Sequence, residues 1–367
     1  MNLNLIILLI VIIFYLLSVN RSNQASSKKS LIILACTLLA LQSGLRHVCV
    51  GSDTYGYYGS FASVIETNWT EVFAGFFVDA DEFRDPGYRV IEKIFAFFIP
   101  SWQFYMLALA VFYYFSMGRL WNRYIQTKEG VLLALLLVLS LFNIIAMSGI
   151  RQQITMALSM YLIPYLEDCR WKRVIPIVLI GSVIHISMLF YLLFIPLQYV
   201  KRRNYQPILI IAILLIPAIL AGAGGIVGFM SSFIENDYYS GYATKIDQGK
   251  PYVYIMMCTF VSLFVFIHSR IMKTAPRFFF SAIVLMTLTF PLIILNGSLI
   301  RIAQYFTIYI MLVLPYIIDK LQDKKLYYIA ITLILSFFIV TRSSDYFFFW
   351  HQNSQYEVYP LLTWRQY

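Results

Sequence analysis

Charged residues are scarce in this sequence: Asp, Glu, Lys and Arg make up only 13% of its 367 residues. Soluble domains carry roughly 25% charged residues, and roughly 45–50% of their residues are apolar. Here 60% are hydrophobic, which excludes an ordinary soluble globular protein. Since a membrane-spanning helix needs about 20 apolar residues, the chain has room for ten or more. The composition predicts an all-α, polytopic integral membrane protein.

Several familiar motifs are also missing. The four cysteines, at positions 36, 49, 169 and 258, are scattered, which excludes a disulfide framework and a cysteine metal site. There is no Walker loop, dinucleotide fingerprint or His-Glu-x-x-His pattern, and no Gly-x-Ser-x-Gly elbow. These absences exclude ATP-driven transport and the familiar hydrolase routes, but they leave ion-coupled transport open. We expect no metal and no cofactor.

Basic residues are concentrated in six short loops, with three in each. Under the positive-inside rule these loops are predicted to be cytoplasmic. They lie around residues 21–29, 119–128, 170–173, 201–203, 270–277 and 320–325. The net charge of +10 is therefore a signal of topology, and we expect no nucleic-acid partner. Both termini are predicted to lie outside. The first segment, 1–19, lacks a cleavage pattern and is interpreted as a retained helix.

The apolar runs predict about 11–12 transmembrane helices in a single membrane domain, 1–367. The predicted spans are roughly 3–19, 30–44, 101–118, 130–147, 151–166, 207–228, 252–268, 277–296, 300–317 and 326–340. Segment 174–200 lies between two basic loops, so we interpret it as a short hairpin that breaks near residues 182–187. Irregular backbone at that depth requires protein or water to satisfy it. The alternative is a straight crossing with one loop on the wrong side.

Three outer segments are predicted: a large periplasmic loop at about 45–100, between the second and third spans, a second loop at 230–251, and the tail 341–367. Within the first, 61–77 is predicted to be one amphipathic helix on the membrane surface. Its lipid-facing residues would be Phe61, Val64, Ile65, Trp69, Val72, Phe73 and Phe76. Residues 88–99 have helical spacing that places Arg89, Glu92 and Lys93 in water. The tyrosines of 230–251 suit an interfacial belt better than a sugar platform.

Three arginines, Arg46, Arg151 and Arg301, stand at the predicted outer ends of apolar spans. An arginine facing hydrocarbon is costly, so such residues usually face a bundle interior or a watery cavity. Guanidinium groups match phosphate oxygens two at a time, which predicts a site for a lipid-linked phosphate. Gln152 shares a helix N-terminus with Arg151, where anions are favoured, and Tyr305 lies one turn from Arg301. The alternative is that the three arginines are interfacial anchors.

The candidate catalytic residues are His185 and Asp53. Asp53 stands in the dense polar run 46–58, beside Thr54 and Tyr57. Either Asp53 or Thr54 is also expected to cap the following helix. His185 lies alone in an apolar segment, where a structural role is the common one, but imidazole can accept a proton near neutral pH. We slightly favour His185 as the base, because Asp53 has the credible capping role.

Together these residues resemble the EpsG/Wzy-type polysaccharide polymerases over roughly residues 40–310. The resemblance rests on short motifs in a fixed order. They are Arg46, Gly51-x-Asp53-Thr54-x-x-Tyr57, a Gly-Tyr turn, Phe142-Asn143 leading to Ile150-Arg151-Gln152, and a histidine beside a serine at 185–187. The turn carries Asp85 where the family commonly has glutamate, so the resemblance assigns no acid role there.

The resemblance implies a glycosyltransferase of the bacterial inner membrane. Such enzymes join oligosaccharide repeat units carried on undecaprenyl diphosphate and build O-antigen or exopolysaccharide on the periplasmic side. The implied partners are a lipid-linked donor and acceptor, membrane lipids and, as a further candidate, a chain-length-regulating membrane protein. The predicted substrate-binding residues are Arg46, Arg151, Gln152, Arg301, Tyr57 and Tyr305. The rival functions are a flippase for lipid-linked sugars, a glycan-to-lipid ligase and, with little weight, an acyltransferase.

Overall fold

The computed structural model describes residues 3–18, 24–51, 53–77, 85–222, 252–294, 299–341, 350–352 and 358–360. Nearly all of them are helical. The first helices are α1 (Leu3–Ser18), α2 (Gln24–Gly44), α3 (Thr54–Glu66), α4 (Trp69–Ala74), α5 (Pro86–Phe98), α6 (Trp102–Tyr124), α7 (Lys128–Leu137), α8 (Asn143–Ser148) and α9 (Ile150–Glu167). A π-helical turn, Val138–Phe142, joins α7 to α8.

The second half of the chain continues the same pattern. Its helices are α10 (Trp171–Ile184), α11 (Phe194–Gln198), α12 (Tyr205–Ala221), α13 (Tyr252–Ile267), α14 (Ser269–Met272), α15 (Arg277–Thr289), α16 (Ile300–Thr307), α17 (Ile310–Ile318) and α18 (Lys324–Thr341). Three 3-10 helices lie among them, at Ile186–Leu193, Arg202–Asn204 and Phe290–Ile294. Two short strands, β1 (Trp350–Gln352) and β2 (Val358–Pro360), pair in antiparallel fashion.

The prediction of a helical integral membrane protein is confirmed. Three helical stretches in the described ranges are long and apolar enough to cross a membrane, Arg202–Ala221, Arg277–Ile294 and Ile300–Ile318. Shorter apolar helices are Leu3–Ser18, Ile186–Gln198 and Tyr254–Ile267. The strand pair near the C-terminus was not predicted. The total of about 11–12 spans, the single membrane domain and the sidedness of the loops stay predictions.

The chain forms two compact units. The first contains Met1–Tyr161, Leu179–Ile186 and Leu314–Tyr367, and the second contains Leu162–Val178 and Ser187–Val313. In the second unit α12 packs against α15, where the rings of Tyr205 and Phe280 stack with their centres 3.8 Å apart. Segment 174–200 contains a helix break at His185, within the predicted range. Whether the segment returns as a hairpin or crosses stays a prediction.

The first unit is built around α2 and α6, which pack along their lengths, with α1 and α7 beside α2. Buried amide and hydroxyl groups link these helices. Gln42 and Asn143 both donate to Oδ1 of Asn4, at 2.7 and 3.2 Å, and the Tyr114 hydroxyl donates to Asn143 at 2.8 Å. Polar groups in an apolar interior are costly unless hydrogen-bonded. The Phe142-Asn143 motif therefore contributes an interhelical hydrogen-bond network.

The predicted surface helix at 61–77 is wrong in two respects. It is two helices, because α3 ends at Glu66 and α4 begins at Trp69. The Thr67 hydroxyl donates back to the Ser63 carbonyl at 2.9 Å, and such side-chain bonds compete with continuing the helix. Several side chains assigned to lipid lie instead in the protein core. These are Phe61, Val64 and Val72, each no more than 1% exposed.

The prediction that Glu92 faces water is also wrong. Helix α5 does form, but α3 packs against it and leaves Glu92 with 0% exposure. Helical periodicity identifies which residues share a face, but not which neighbouring element covers that face. Lys93 lies at the edge of the same contact and donates to the carbonyls of Val64 and Ile65 at 3.1 Å each, so it closes the C-terminal turn of α3.

Candidate functional site

Three segments of the first unit meet at one carboxylate. Asp85 Oδ2 accepts a hydrogen bond from Arg151 Nη1 at 2.6 Å and lies 3.4 Å from His185 Nδ1. These residues come from the start of α5, the first turn of α9 and the end of α10. We call Asp85, Arg151, His185 and the adjoining Tyr57 the polar site. An acid, a guanidinium and an imidazole in direct contact form a constellation typical of proton transfer and anion binding.

The position of Asp85 follows from an unusual turn. Its backbone is left-handed, with φ 54° and ψ 58°, a conformation that Asp and Asn adopt more readily than most residues. Pro86 follows at the first position of α5, where its fixed φ suits a helix start. The Asp85 side chain makes no capping hydrogen bond to α5. Its carboxylate is therefore directed to Arg151 and His185.

Gly87 allows α5 to approach the end of α10 closely. A Cβ atom at this position would lie 2.9 Å from the carbonyl oxygen of Val183 and 3.0 Å from its carbonyl carbon. Both are backbone atoms, which cannot rotate away. A side chain here would push α5 away from α10 and separate Asp85 from His185. The close contact therefore explains on steric grounds why the Gly-Tyr turn contains a glycine.

Arg151 is held in a fixed orientation by tyrosines. Its Nε donates to the Tyr57 hydroxyl at 3.2 Å, and its guanidinium carbon lies 5.4 Å from the Tyr57 ring centre and 6.0 Å from that of Tyr88. The two rings meet edge to face, 5.5 Å apart. The side chain is 28% exposed, and its Nη2 makes no hydrogen bond to any described residue. Arg151 thus keeps one N–H edge available for an anion.

His185 ends α10, with its backbone N–H donating to the Gly181 carbonyl at 2.9 Å. The residue is 9% exposed, and Nε2 is buried without a hydrogen-bond partner among the described residues. With Nδ1 turned to Asp85, Nε2 is the nitrogen that can accept a proton. A carboxylate that orients an imidazole in this way fixes its tautomer and supports a positive charge that forms on it.

The electrostatics of Asp85 suit an orienting role. Burial by itself would raise the pKa of Asp85, but the hydrogen bond from His185 and the positive charge of Arg151 outweigh it and hold the pKa below its ordinary value. The carboxylate is therefore ionised at neutral pH. A group that is ionised so readily is a poor proton acceptor, so within the polar site the stronger candidate base is His185.

Arg46 is 1% exposed. Its guanidinium donates to the backbone carbonyls of Ser43 and Val50 and to the Ser43 hydroxyl. Cationic side chains commonly close the carbonyls at a helix C-terminus in this way, and here Arg46 closes the last turn of α2. Direct contact with a substrate would require this turn to open.

Asp53 is exposed and precedes α3, but its side chain makes no capping hydrogen bond. The Thr54 hydroxyl donates instead to the Val50 carbonyl at 2.7 Å and to the Met147 carbonyl at 3.2 Å. The predicted capping role is therefore wrong for both residues. The reason is that the Thr54 hydroxyl instead links the turn before α3 to the end of α8. A catalytic role for Asp53 stays a prediction.

The remaining predicted residues lie on α9 and α16. Gln152 is buried beside Arg151 in the first turn of α9. Arg301 and Tyr305 belong to the second unit, where Arg301 is exposed and Tyr305 is buried and accepts a hydrogen bond from Ser187 at 3.4 Å. The tyrosine segment 230–251 and most of the tail 341–367 lie outside the described residues.

A comparison with protein-family models matches the chain to the EpsG family over residues 29–361. The chain belongs to the EpsG family. Neither the curated proteins nor the solved structures contain a match to it. The EpsG family comprises polymerase-type proteins of exopolysaccharide and O-antigen synthesis, so membership supports a polymerase-type role in polysaccharide biosynthesis.

The EpsG-family match spans each of the quoted motifs, and the structure shows what several of them do. Tyr57, Arg151 and His185 come together in the polar site, and their roles in binding and catalysis stay predictions. Asp85 was not predicted as a site residue, because the family commonly has glutamate at this position. The position itself could have identified the residue, since aspartate and glutamate both supply a carboxylate. In the described residues no three His, Cys, Asp or Glu side chains could hold a metal ion, and independence from metal stays a prediction.

Proposed function

We propose that this EpsG-family protein is a polymerase that joins undecaprenyl-diphosphate-linked oligosaccharide repeat units by glycosyl transfer. We place the reaction at the periplasmic face of the bacterial inner membrane, with a lipid-linked donor and acceptor as substrates. Family membership supports the polymerase role, and the predicted topology supports the face. A chain-length-regulating membrane protein is proposed as a further partner.

The single observation that carries the mechanism is the Asp85 carboxylate between His185 and Arg151. It ties a candidate base to a candidate anion-binding group within one polar site. Glycosyl transfer from a lipid diphosphate needs both, because an acceptor hydroxyl must lose a proton while a diphosphate departs with negative charge. A transporter of lipid-linked sugars would need the arginine but has no use for an oriented base.

In the proposed reaction an acceptor hydroxyl oxygen attacks the anomeric carbon of the donor sugar. The bond from that carbon to the diphosphate oxygen breaks, and undecaprenyl diphosphate leaves with the electron pair. His185 Nε2 takes the hydroxyl proton, while Asp85 stabilises the charge that forms on the ring. The C-terminal carbonyls of α10 favour the same positive charge.

The departing diphosphate is bound by Arg151 in this scheme. The free edge of its guanidinium and the N-terminal N–H groups of α9 both favour an anion. Tyr57 fixes the guanidinium through its hydroxyl, so little reorientation is needed when charge develops. Gln152, Arg301 and Tyr305 are proposed to contact other parts of the lipid-linked substrates.

The function is tested by deleting the gene and by reconstituting the purified protein with lipid-linked repeat units. We expect deletion to leave a surface glycan capped by one repeat unit, and the reconstituted protein to build a ladder of longer glycans. Repeat units confined to the cytoplasmic leaflet would indicate a flippase. Full-length polymer that stays on undecaprenyl diphosphate would indicate a ligase. Either result would contradict the polymerase assignment.

Replacing Arg151 with lysine should reduce polymer formation nearly as much as replacing it with alanine. Lysine keeps the charge but lacks the planar guanidinium group. Its single ammonium group cannot donate to Asp85, Tyr57 and a phosphate oxygen in the same geometry. We expect a loss of about 100-fold, typical of a misplaced catalytic group. The measurement is glycan length on a gel, normalised to the amount of protein in the membrane.

The matched control is Arg119→Lys. Arg119 is an exposed arginine of the first unit that also lies over a tyrosine ring, 4.9 Å from the centre of Tyr161. We expect this variant to make polymer normally. If Arg151→Lys also makes full-length polymer, the anion-binding role of Arg151 is wrong, and the residue is an anchor that lysine can replace.

A further inference from the structure

Glu92 is a buried carboxyl group with no ion-pair partner among the described residues. It lies on α5 with 0% exposure. Ser60 of α3 donates to its Oε2 at 2.8 Å, whereas Oε1 is buried without a hydrogen-bond partner among the described residues. Glu92 is in none of the ion pairs found in the described ranges. A carboxylate in this setting is strongly disfavoured relative to the neutral acid.

Tyrosines and arginines surround Glu92. The titratable and charged groups that act on it are Tyr88 and Arg89 of α5, Tyr105 of α6 and Arg151 of α9, and Tyr57 of α3 acts on both of these tyrosines. The hydroxyl oxygens of Tyr88 and Tyr105 are also buried without a hydrogen-bond partner among the described residues. A protonated carboxyl can donate to one of these oxygens, whereas a carboxylate can only accept.

Glu92 is connected to the polar site through Tyr88. The two residues lie one turn apart on α5, and the Tyr88 ring contacts the Tyr57 ring and lies beneath the Arg151 guanidinium. Burial raises the pKa of Glu92 to about 7, while the hydrogen bond from Ser60, the nearby Tyr88 hydroxyl and the charges of Arg89 and Arg151 oppose the shift. The group therefore changes charge within the range in which cells operate.

We propose that Glu92 is a positioning residue of the polar site, which as a neutral acid holds Tyr88 against Tyr57 and beneath Arg151. Loss of its proton would place a second negative charge near Arg151, where it would compete with Asp85. The polar site would then lose its geometry as the pH rises. The effect on polymer formation rests on the proposed function, but the protonation state of Glu92 does not.

The first test compares the pH profiles of Glu92→Gln and Glu92→Leu with that of the wild type. Glutamine imitates the neutral acid in size and hydrogen bonding, so we expect near wild-type activity below about pH 6 and no loss as pH rises through about 7. Leucine removes the hydrogen bonds and should lose about tenfold or more at every pH. Glutamine as inactive as leucine, or with an unchanged alkaline decline, would overturn the proposal.

The second test measures protonation without any polymer assay. The infrared band of a protonated carboxyl group should be present in wild-type protein at mildly acidic pH, disappear on titration through about 7, and be absent in Glu92→Gln. The matched control is Glu71→Gln, which removes an exposed glutamate of α4 and should leave the band intact. A wild-type protein without the band overturns the proposal. The band in a protein that makes no polymer would contradict only the proposed function.

Thermal unfolding gives a third readout. The unfolded Glu92 carboxyl ionises near the ordinary pKa of glutamate, whereas the folded one keeps its proton to about 7. Stability should therefore fall as pH rises across that window. The Asp85 contribution has the opposite sign and is complete above the ordinary pKa of aspartate, so it is constant there. We expect Glu92→Gln to flatten the decline, and an unchanged decline would contradict the assignment.

Discussion

Replacing Asp85 with asparagine is expected to abolish polymer formation, with a loss of about 100-fold or more, because the replacement disorders both an oriented base and its partner arginine. Asparagine keeps the size of the side chain and tolerates the left-handed backbone at this position, so the turn should still form. What is lost is the negative charge between Arg151 and His185. The measurement is glycan length from membranes with matched protein levels.

Two further variants make the Asp85 result specific. Glu71→Gln removes an exposed carboxylate of α4 in the same unit and should leave polymer length unchanged. Asp85→Glu restores the charge with the residue that the family commonly has, and should recover part of the activity. Full-length polymer from Asp85→Asn would show that the carboxylate is not needed. In that case Asp53 would become the acid to examine.

Replacing His185 with alanine is expected to abolish polymer while the amount of protein and the binding of lipid-linked donor stay normal. A general base typically contributes about 10²–10⁴-fold to the rate, and Nε2 of His185, which Asp85 leaves unoccupied, is the proposed proton acceptor. Added imidazole should restore part of the activity of the alanine variant. If His185 only filled space, added imidazole would not restore the activity of the alanine variant.

The matched control for His185 is His268→Ala. His268 is a half-buried histidine of the second unit, with Nδ1 bonded to the Phe264 carbonyl at 2.9 Å, and its loss should leave polymer formation intact. If His185→Ala makes polymer at near wild-type level, the histidine is structural. If His185→Ala protein fails to accumulate, His185→Gln tests the same point, because glutamine can donate to Asp85 but accepts protons poorly.

The helices and part of the site could be predicted from the sequence. Apolar runs and basic loops gave the helix positions, and isolated polar residues in those runs pointed to Arg151 and His185. These signals are local, because a charge or an imidazole in an apolar segment needs a partner whatever the fold. The partner itself was not predictable in this way. Asp85 lies 66 residues from Arg151 and 100 from His185.

Glu92 and Arg46 show the limits of periodicity in physical terms. Helical spacing placed Glu92 with charged neighbours, yet the packing of α3 on α5 decides its burial. Arg46 follows an apolar span, but its guanidinium donates to carbonyls of its own turn, and its contact with a substrate stays a prediction. The close approach of Gly87 to Val183 explains why the turn contains a glycine. This requirement is visible only in the three-dimensional structure.

The arrangement of the first unit has a consequence for the order of synthesis. Asp85 and Arg151 emerge from the ribosome before the segment Leu179–Ile186, which belongs to the first unit although Leu162–Val178, a part of the second unit, precedes it in the chain. At roughly 5–20 residues per second, His185 follows Arg151 by a few seconds. The acid and the arginine can therefore pair first, in a nascent protein that still lacks the proposed base. In the proposed mechanism, activity would begin only after the end of α10 packs against Gly87.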